Sequence, residues 1–100
     1  TLLNNLAYAA AETARAGIRL LIEPLNTRDV PGFLIATTRD ALSVMDAVGH
    51  ANLGLQYDVY HAQVMEGDLA QTLRTHIARI GHIQIADNHL QEYSNRLDII

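Results

Sequence analysis

The chain is predicted to be α/β, a partial (β/α)8 barrel of about three parallel strands with flanking helices. Three observations predict this. Apolar runs at Ile18–Glu23, Leu53–Asp58 and His82–Ile85 read as buried strands. Helix-like stretches separate them. A side chain with an oxygen donor, Glu23, Asp58 or Gln84, stands at or beside the end of each run. These three lie 35 and 26 positions apart, close to the roughly 31 residues of one βα unit in a barrel of about 250 residues. Barrel active sites sit where the strands end. A doubly wound open sheet gives the same local alternation, but no G-x-G-x-x-G or G-x-x-x-x-G-K-[ST] supports its nucleotide-binding forms.

Each element has its own local reason. Residues 1–16 are alanine-rich and helix-prone, with Leu2, Leu6, Ala9, Ala10 and Thr13 near one stripe. Gly17 is a natural helix stop. The strand Ile18–Glu23 follows and Pro24 ends it. Residues 24–36 read as a loop, with Asn26, Asp29, Pro31 and Gly32 as turn formers. Thr37 or Thr38 then caps a helix that runs to about Val48, with Asp40 in its first turn. Ala41, Leu42, Val44, Met45 and Val48 supply its apolar period, and Gly49 stops it. Leu53–Asp58 is the second strand. Tyr60–Gly67 reads as a loop containing His61. Asp68 caps a third helix on which Leu69, Leu73, Ile77 and Ile80 recur, Gly81 stops it, and His82–Ile85 is the last strand. The predicted order is α-β-α-β-α-β, with right-handed crossovers between parallel strands. After Asn88 the sequence HLQEYSNRLDII has no convincing period. The expected organisation is a partial barrel domain at 1–88 and a divergent tail at 89–100.

Composition narrows the function classes. One hundred residues suit a single domain at most. A hydrophobic share of 49% is enough to build a core and argues against disorder. The net charge of −4 and the lack of a basic run argue against nucleic acid and against an anionic membrane surface. There is no cysteine, so a disulfide, a zinc–thiolate site and a cysteine nucleophile are excluded. No apolar stretch approaches the roughly 20 residues that span a bilayer. The sequence opens without a signal-peptide pattern and without methionine. A cytoplasmic protein, and a fragment, are the expectations.

The chemistry concentrates at the strand ends. A carboxylate there, such as Glu23, is costly to bury unless it is paired, hydrogen-bonded or metal-bound. The ordinary alternative is a rim glutamate, solvated or paired with an arginine. Asp58 carries the same logic, and His61, three residues on, can reach back over the strand end. Asp and His together suit a divalent metal with a substrate oxygen nearby. An aspartate after a strand is otherwise a turn former or N-cap. Gln84 shares a face with His82, and its amide oxygen can ligate a hard ion or be hydrogen-bonded in a core. Gln56 shares the Asp58 face, so polar residues recur on two strands. Oxygen ligands favour Mg²⁺ or Mn²⁺. His50, His76 and His89 look peripheral. Arg19 stands on the Glu23 face as an inner-layer or rim ion partner.

The segments Glu23-Pro24-Leu25-Asn26, Asp58-Val59-Tyr60-His61 and His82-Ile83-Gln84-Ile85-Ala86-Asp87-Asn88 together resemble the hydroxypyruvate isomerase family of xylose-isomerase-like TIM barrels. The 2-oxo-tetronate isomerases are similar to it at least as well. Pro31-Gly32-Phe33, Gln56-Tyr57-Asp58, Met65-Glu66-Gly67 and Gly81-His82 extend the resemblance from about residue 1 to Asn88. It implies that Glu23 is a metal ligand and an acid/base group, that Asp58 and Gln84 are metal ligands, and that His61 contacts substrate. It also implies interconversion of an α-hydroxy aldehyde and an α-hydroxy ketone acid through an enediolate, with Mg²⁺ or Mn²⁺ as cofactor and a small hydroxy- or keto-acid as partner.

The resemblance breaks at the tail. The family continues with a proline and an arginine where this chain has His89 and Gln91. The glutamate of the family's last strand, the second acid/base carboxylate, has no counterpart here. The break resembles a frameshift or a truncated reading frame, and the isolated chain is expected to be inactive. One alternative is another epimerase or isomerase of the same barrel superfamily. An endonuclease-IV-like hydrolase fits less well, because Gln84 stands where a histidine is expected and basic residues are few. The non-enzymatic alternative is a truncated remnant, or an α/β module that self-associates through open sheet edges.

Overall fold

A computed structural model describes residues 1–86. The expected boundary after residue 88, and the tail 89–100, lie outside the described residues. Helix α1 (Leu2–Arg15) starts at Thr1, whose hydroxyl accepts the Asn4 N–H at 3.1 Å. It closes through the Gly17 N–H on Ala14 O (3.0 Å) and the Ile18 N–H on Thr13 O (2.8 Å). Gly17 takes φ 75° to allow this turn. Ile18 is thereby used to finish the helix. Strand β1 consequently spans only Leu20–Ile22, and Glu23 stands just beyond it.

Helix α2 (Thr38–Val48) follows the sequence expectation closely. The Thr37 hydroxyl accepts the Asp40 N–H at 3.1 Å, and Asp40 Oδ2 accepts the Thr37 N–H at 3.2 Å. This reciprocal pair satisfies two otherwise orphaned donors. The Gly49 N–H closes the far end on Met45 O. Strand β2 is Leu53–Asp58, as predicted.

The next segment corrects the sequence reading. Residues Val59–Met65 form helix α3 where a loop was expected. Asp58 ends the strand and caps the helix at once, its Oδ1 accepting the Tyr60 N–H at 2.9 Å. With no spacer, and with Ala62 the one buried residue in seven, the segment shows no readable helical period.

Helix α4 spans Leu69–His76, followed by a 3-10 turn at Ile77–Arg79 and strand β3 at Ile80–Gln84. Three further expectations change here. Asp68 precedes α4 but makes no side-chain cap. Ile80 belongs to the strand, and Gly81 lies inside that strand where a helix stop was expected. Gly81 is needed for close approach, because a Cβ there would sit 2.6 Å from Leu21 Cδ2.

The sheet is parallel, in the order β1-β2-β3. Leu20 pairs with Leu53, Ile22 with Leu55, Gln56 with His82 and Asp58 with Gln84. Gly81 is the extra residue of an irregularity opposite Leu55 and Gln56. One sheet face carries Ile22, Leu53, Leu55 and Tyr57 into a core with Ile35, Ala41, Met45 and Ala62. Each large apolar side chain buried there contributes about 1.5–3 kcal/mol. By strand alternation the other face carries Leu21, Gly54, Gln56 and Asp58. This is the three-stranded portion of a barrel that the strand spacing predicts.

Candidate metal and acid–base site

The C-terminal ends of β1 and β2 bring Glu23 and Asp58 side by side. Pro24 follows Glu23 and ends the strand, so the carboxylate projects at the rim. Asp58 is 6% exposed, and its cap to α3 fixes one of its oxygens. The same cap orients α3 so that His61, one turn on, returns over the strand ends. His61 Nε2 lies 3.8 Å from Asp58 Oδ2. Donor atoms of Glu23, Asp58 and His61 all lie within 4.8 Å of one another.

The electrostatics follow from this crowding. Burial, and then the neighbouring Asp58 carboxylate, raise the Glu23 pKa from 4.5 to about 7. Near neutrality the group is therefore poised to hold or release a proton. The donor set also fits a hard divalent ion. Ligands at about 2.1 Å place opposite donors about 4.2 Å apart, so a cluster of this size closes around one ion with small side-chain movements. A cation would also relieve the repulsion between the two carboxylates.

Gln84 is brought to the same end of the sheet, beside Asp58. It pairs with Asp58 in register, is exposed, and its Oε1 accepts from Gln56 Nε2 at 3.1 Å. Arg19 lies along the same face, with Nη2 at 2.7 Å from where a Gly54 Cβ would be, and makes no ion pair among the described residues. His50 is peripheral, its Nδ1 accepting the Asn52 N–H at 3.0 Å.

Sequence reasoning missed a second layer. Asn26 is fully buried in the loop after β1. Its main-chain N–H donates to His61 Nδ1 at 2.9 Å, and its Nδ2 lies 2.7 Å from the same atom. Its Oδ1 accepts the Asp29 N–H at 2.8 Å, and its Nδ2 donates to Asp29 Oδ2 at 3.1 Å. The Tyr60 hydroxyl also donates to Asp29 Oδ2. These bonds hold the Asp29 carboxyl below its usual range, the Tyr60 contribution being the largest. Burial, and then Asp29, push Tyr60 up to about 12, so Tyr60 remains a donor. The i,i+3 spacing of Asn26 and Asp29 signals a local turn, but nothing local signals a partner on α3.

Comparisons with known proteins identify the family and the fold. The family model described as the xylose isomerase-like TIM barrel matches residues 1–98. Hydroxypyruvate isomerase of Escherichia coli K12 is 52% identical over 88 residues, which is 88% of this chain and 34% of that protein. A 2-oxo-tetronate isomerase of Cupriavidus necator is 51% identical over 86% of this chain and 33% of its own length. Among solved structures, a family 2 AP endonuclease from Brucella melitensis superimposes with a TM-score of 0.81 at 40% identity, covering 84% of this chain and 33% of that one. A 3-keto-D-glucoside 4-epimerase from E. coli does so with a TM-score of 0.78 at 31% identity, covering 87% and 32%. The chain thus spans about a third of the length of the relatives it matches. No helix among the described residues is long and apolar enough to cross a membrane. With the family model matching nearly end to end over a parallel βα sheet, the chain belongs to the xylose isomerase-like TIM barrel family.

Proposed function

We propose that this chain is part of a metal-dependent isomerase that interconverts α-hydroxy aldehyde and α-hydroxy ketone acids, of the hydroxypyruvate/tartronate semialdehyde or 2-oxo-tetronate type. The observation that carries the reading is the convergence of Glu23, Asp58 and His61 at the strand ends, their donor atoms all within 4.8 Å of one another. Carboxylates and a histidine so placed suit a divalent ion with a substrate oxygen beside it. The similarity to isomerases of that name supports the substrate class.

Glu23, Asp58 and Gln84 are the proposed ligands. When bound, Mg²⁺ or Mn²⁺ polarises the substrate's carbonyl and hydroxyl oxygens. Glu23 takes the proton from the carbon bearing the hydroxyl, and the electron pair moves into the enediolate. Return of a proton to the adjacent carbon, with transfer of the hydroxyl proton, completes the isomerisation. His61 orients a substrate oxygen. A second carboxylate has to manage the return, and the strand ends described here provide Glu23 and Asp58 alone. The isolated chain is accordingly proposed to be inactive, and the activity to be cytoplasmic.

A chimera tests the reading. Residues 1–88 replace the matching third of E. coli hydroxypyruvate isomerase, and hydroxypyruvate turnover is followed with Mg²⁺ or Mn²⁺. The chimera is expected to turn over, Glu23→Gln to lower kcat roughly a hundred- to ten-thousand-fold, and the isolated chain to show no turnover. A folded but inactive chimera sinks the proposal. Epimerisation of a keto-sugar by the chimera would favour the related epimerase chemistry instead. Hydrolysis of abasic DNA is disfavoured by the net charge of −4 and by an amide at Gln84.

A further inference from the structure

We infer that Asn26 is a positioning residue that fixes the tautomer of His61, making its Nε2–H a hydrogen-bond donor and keeping the imidazole out of the metal's ligand set. The assignment rests on the isomerase reading only for the identity of what Nε2–H faces.

The argument begins with the Asn26 main-chain N–H, which lies 2.9 Å from His61 Nδ1. A peptide nitrogen has no lone pair to offer, so Nδ1 must be the acceptor. A neutral imidazole carries one ring proton, which is therefore on Nε2. The Asn26 side chain supplies a second donor, Nδ2, at 2.7 Å from the same nitrogen. The orientation of that amide is itself determined. Its oxygen must be the atom that accepts the Asp29 N–H at 2.8 Å, and its nitrogen the atom that donates to Asp29 Oδ2 at 3.1 Å. Reversing the amide would set oxygen against carboxylate. The Tyr60 hydroxyl holds Asp29 from the other side, and the Tyr60 ring meets His61 edge-on at 5.3 Å between centroids.

Metal-ligating histidines show the opposite arrangement. Their second nitrogen is protonated and donates to a carboxylate or a carbonyl, which leaves a lone pair for the ion. Here both atoms facing Nδ1 are donors, and Asn26 is fully buried. Protonating Nδ1 would orphan a buried main-chain N–H, which biases the ring toward Nε2–H by at least about tenfold. His61 thus joins the cluster with Glu23 and Asp58 by position, yet offers a proton there. The oxygen that takes this proton belongs to the substrate.

Histidine-selective ¹⁵N labelling of the whole chain, read by long-range ¹H–¹⁵N correlation at about pH 8, tests the assignment where imidazole is neutral. His61 is identified among the five histidines by loss of its signals in His61→Gln. The expected spectrum shows protonated Nε2 and bare Nδ1. Asn26→Asp sets a carboxylate beside Nδ1 in competition with the main-chain N–H, which remains, and is expected to shift the tautomer ratio toward Nδ1–H. The exchange Asn26→Asp with Asp29→Asn keeps the charge and the Asx pair, and is expected to do the same if the single variant does not fold. A wild-type ring protonated at Nδ1, or one with the mixture of an unstructured histidine, overturns the inference. So does a tautomer ratio left unchanged in both variants, since the main-chain N–H would then act without the Asn26 side chain. Such results would leave the isomerase reading standing, with the His61 ring free to join Glu23, Asp58 and Gln84 at the metal. An inactive chimera would remove that reading and leave the tautomer untouched.

Discussion

Glu23 is where residue-level chemistry and stability meet. Its folded-state pKa of about 7 lies above the ordinary 4.5, so the folded chain binds this proton more tightly than the unfolded one. Its contribution to stability is then fully present below about pH 4.5 and is lost as pH rises through about 7. Urea midpoints of the metal-free chain at pH 5 and pH 8 are expected to fall with pH, and Glu23→Gln to flatten that fall. An equal slope in both chains would show that Glu23 is not the source. Ligation needs the ionised carboxylate, so Mn²⁺ binding is expected to release close to one proton at pH 6 and far less at pH 8. Calorimetry in two buffers of different ionisation heat measures this. Glu23, Asp58 and His61 were legible in the sequence because polar groups after apolar strands are conspicuous. Asn26 was not, because its partner His61 is 35 residues away and the amide doubles as an ordinary turn former.

At the scale of elements, small polar devices set where the strand ends point. The pair formed by Thr37 and Asp40 was readable, since both of its members lie within one turn. Thr37→Ala is expected to cost about 0.5–2 kcal/mol in urea unfolding. Asn52 acts over a longer range. Its Nδ2 donates to Ala10 O (3.2 Å), Thr13 Oγ1 (3.0 Å) and Ile18 O (2.8 Å), tying the end of α1 to the start of β2. Asn52→Ala removes this shared donor, which Ile18 O depends on most closely, and is expected to cost about 1–3 kcal/mol, while leaving metal binding at the opposite end of the sheet unchanged. Glu66 makes a comparable tie, its Oε2 accepting both the N–H and the hydroxyl of Thr38 at 2.8 and 3.1 Å. Helix α3 and the place of Gly81 escaped the sequence for different reasons. Helix α3 starts on an Asp58 cap that follows the strand without a spacer and buries only Ala62, so it leaves no local period, whereas Gly81 is set by Leu21 packing across the sheet.

On the scale of the whole molecule, β1 and β3 each pair with β2 alone among the described residues. Each has one edge without a strand partner among those residues, and Ile83 and Ile85 are 40% and 56% exposed beside one of them. Such edges are templates for further pairing. Light scattering after size exclusion is expected to show oligomers that grow with concentration. Substituting Lys for Ile83 is expected to reduce them, and a monodisperse monomer at high concentration would refute the edge argument. The parallel arrangement itself was legible, because alternating strands and helices permit few alternatives. The strand order has one more effect. Among the described residues only β2 is bonded on both sides, so its amides should exchange with deuterium most slowly, while those of β1 and β3 open from the outside. Asp58 then rides on the most persistent strand and Glu23 and Gln84 on the two that breathe. The proposed ligands would be assembled from segments with different lifetimes, with Asp58 as the fixed point about which the others come and go.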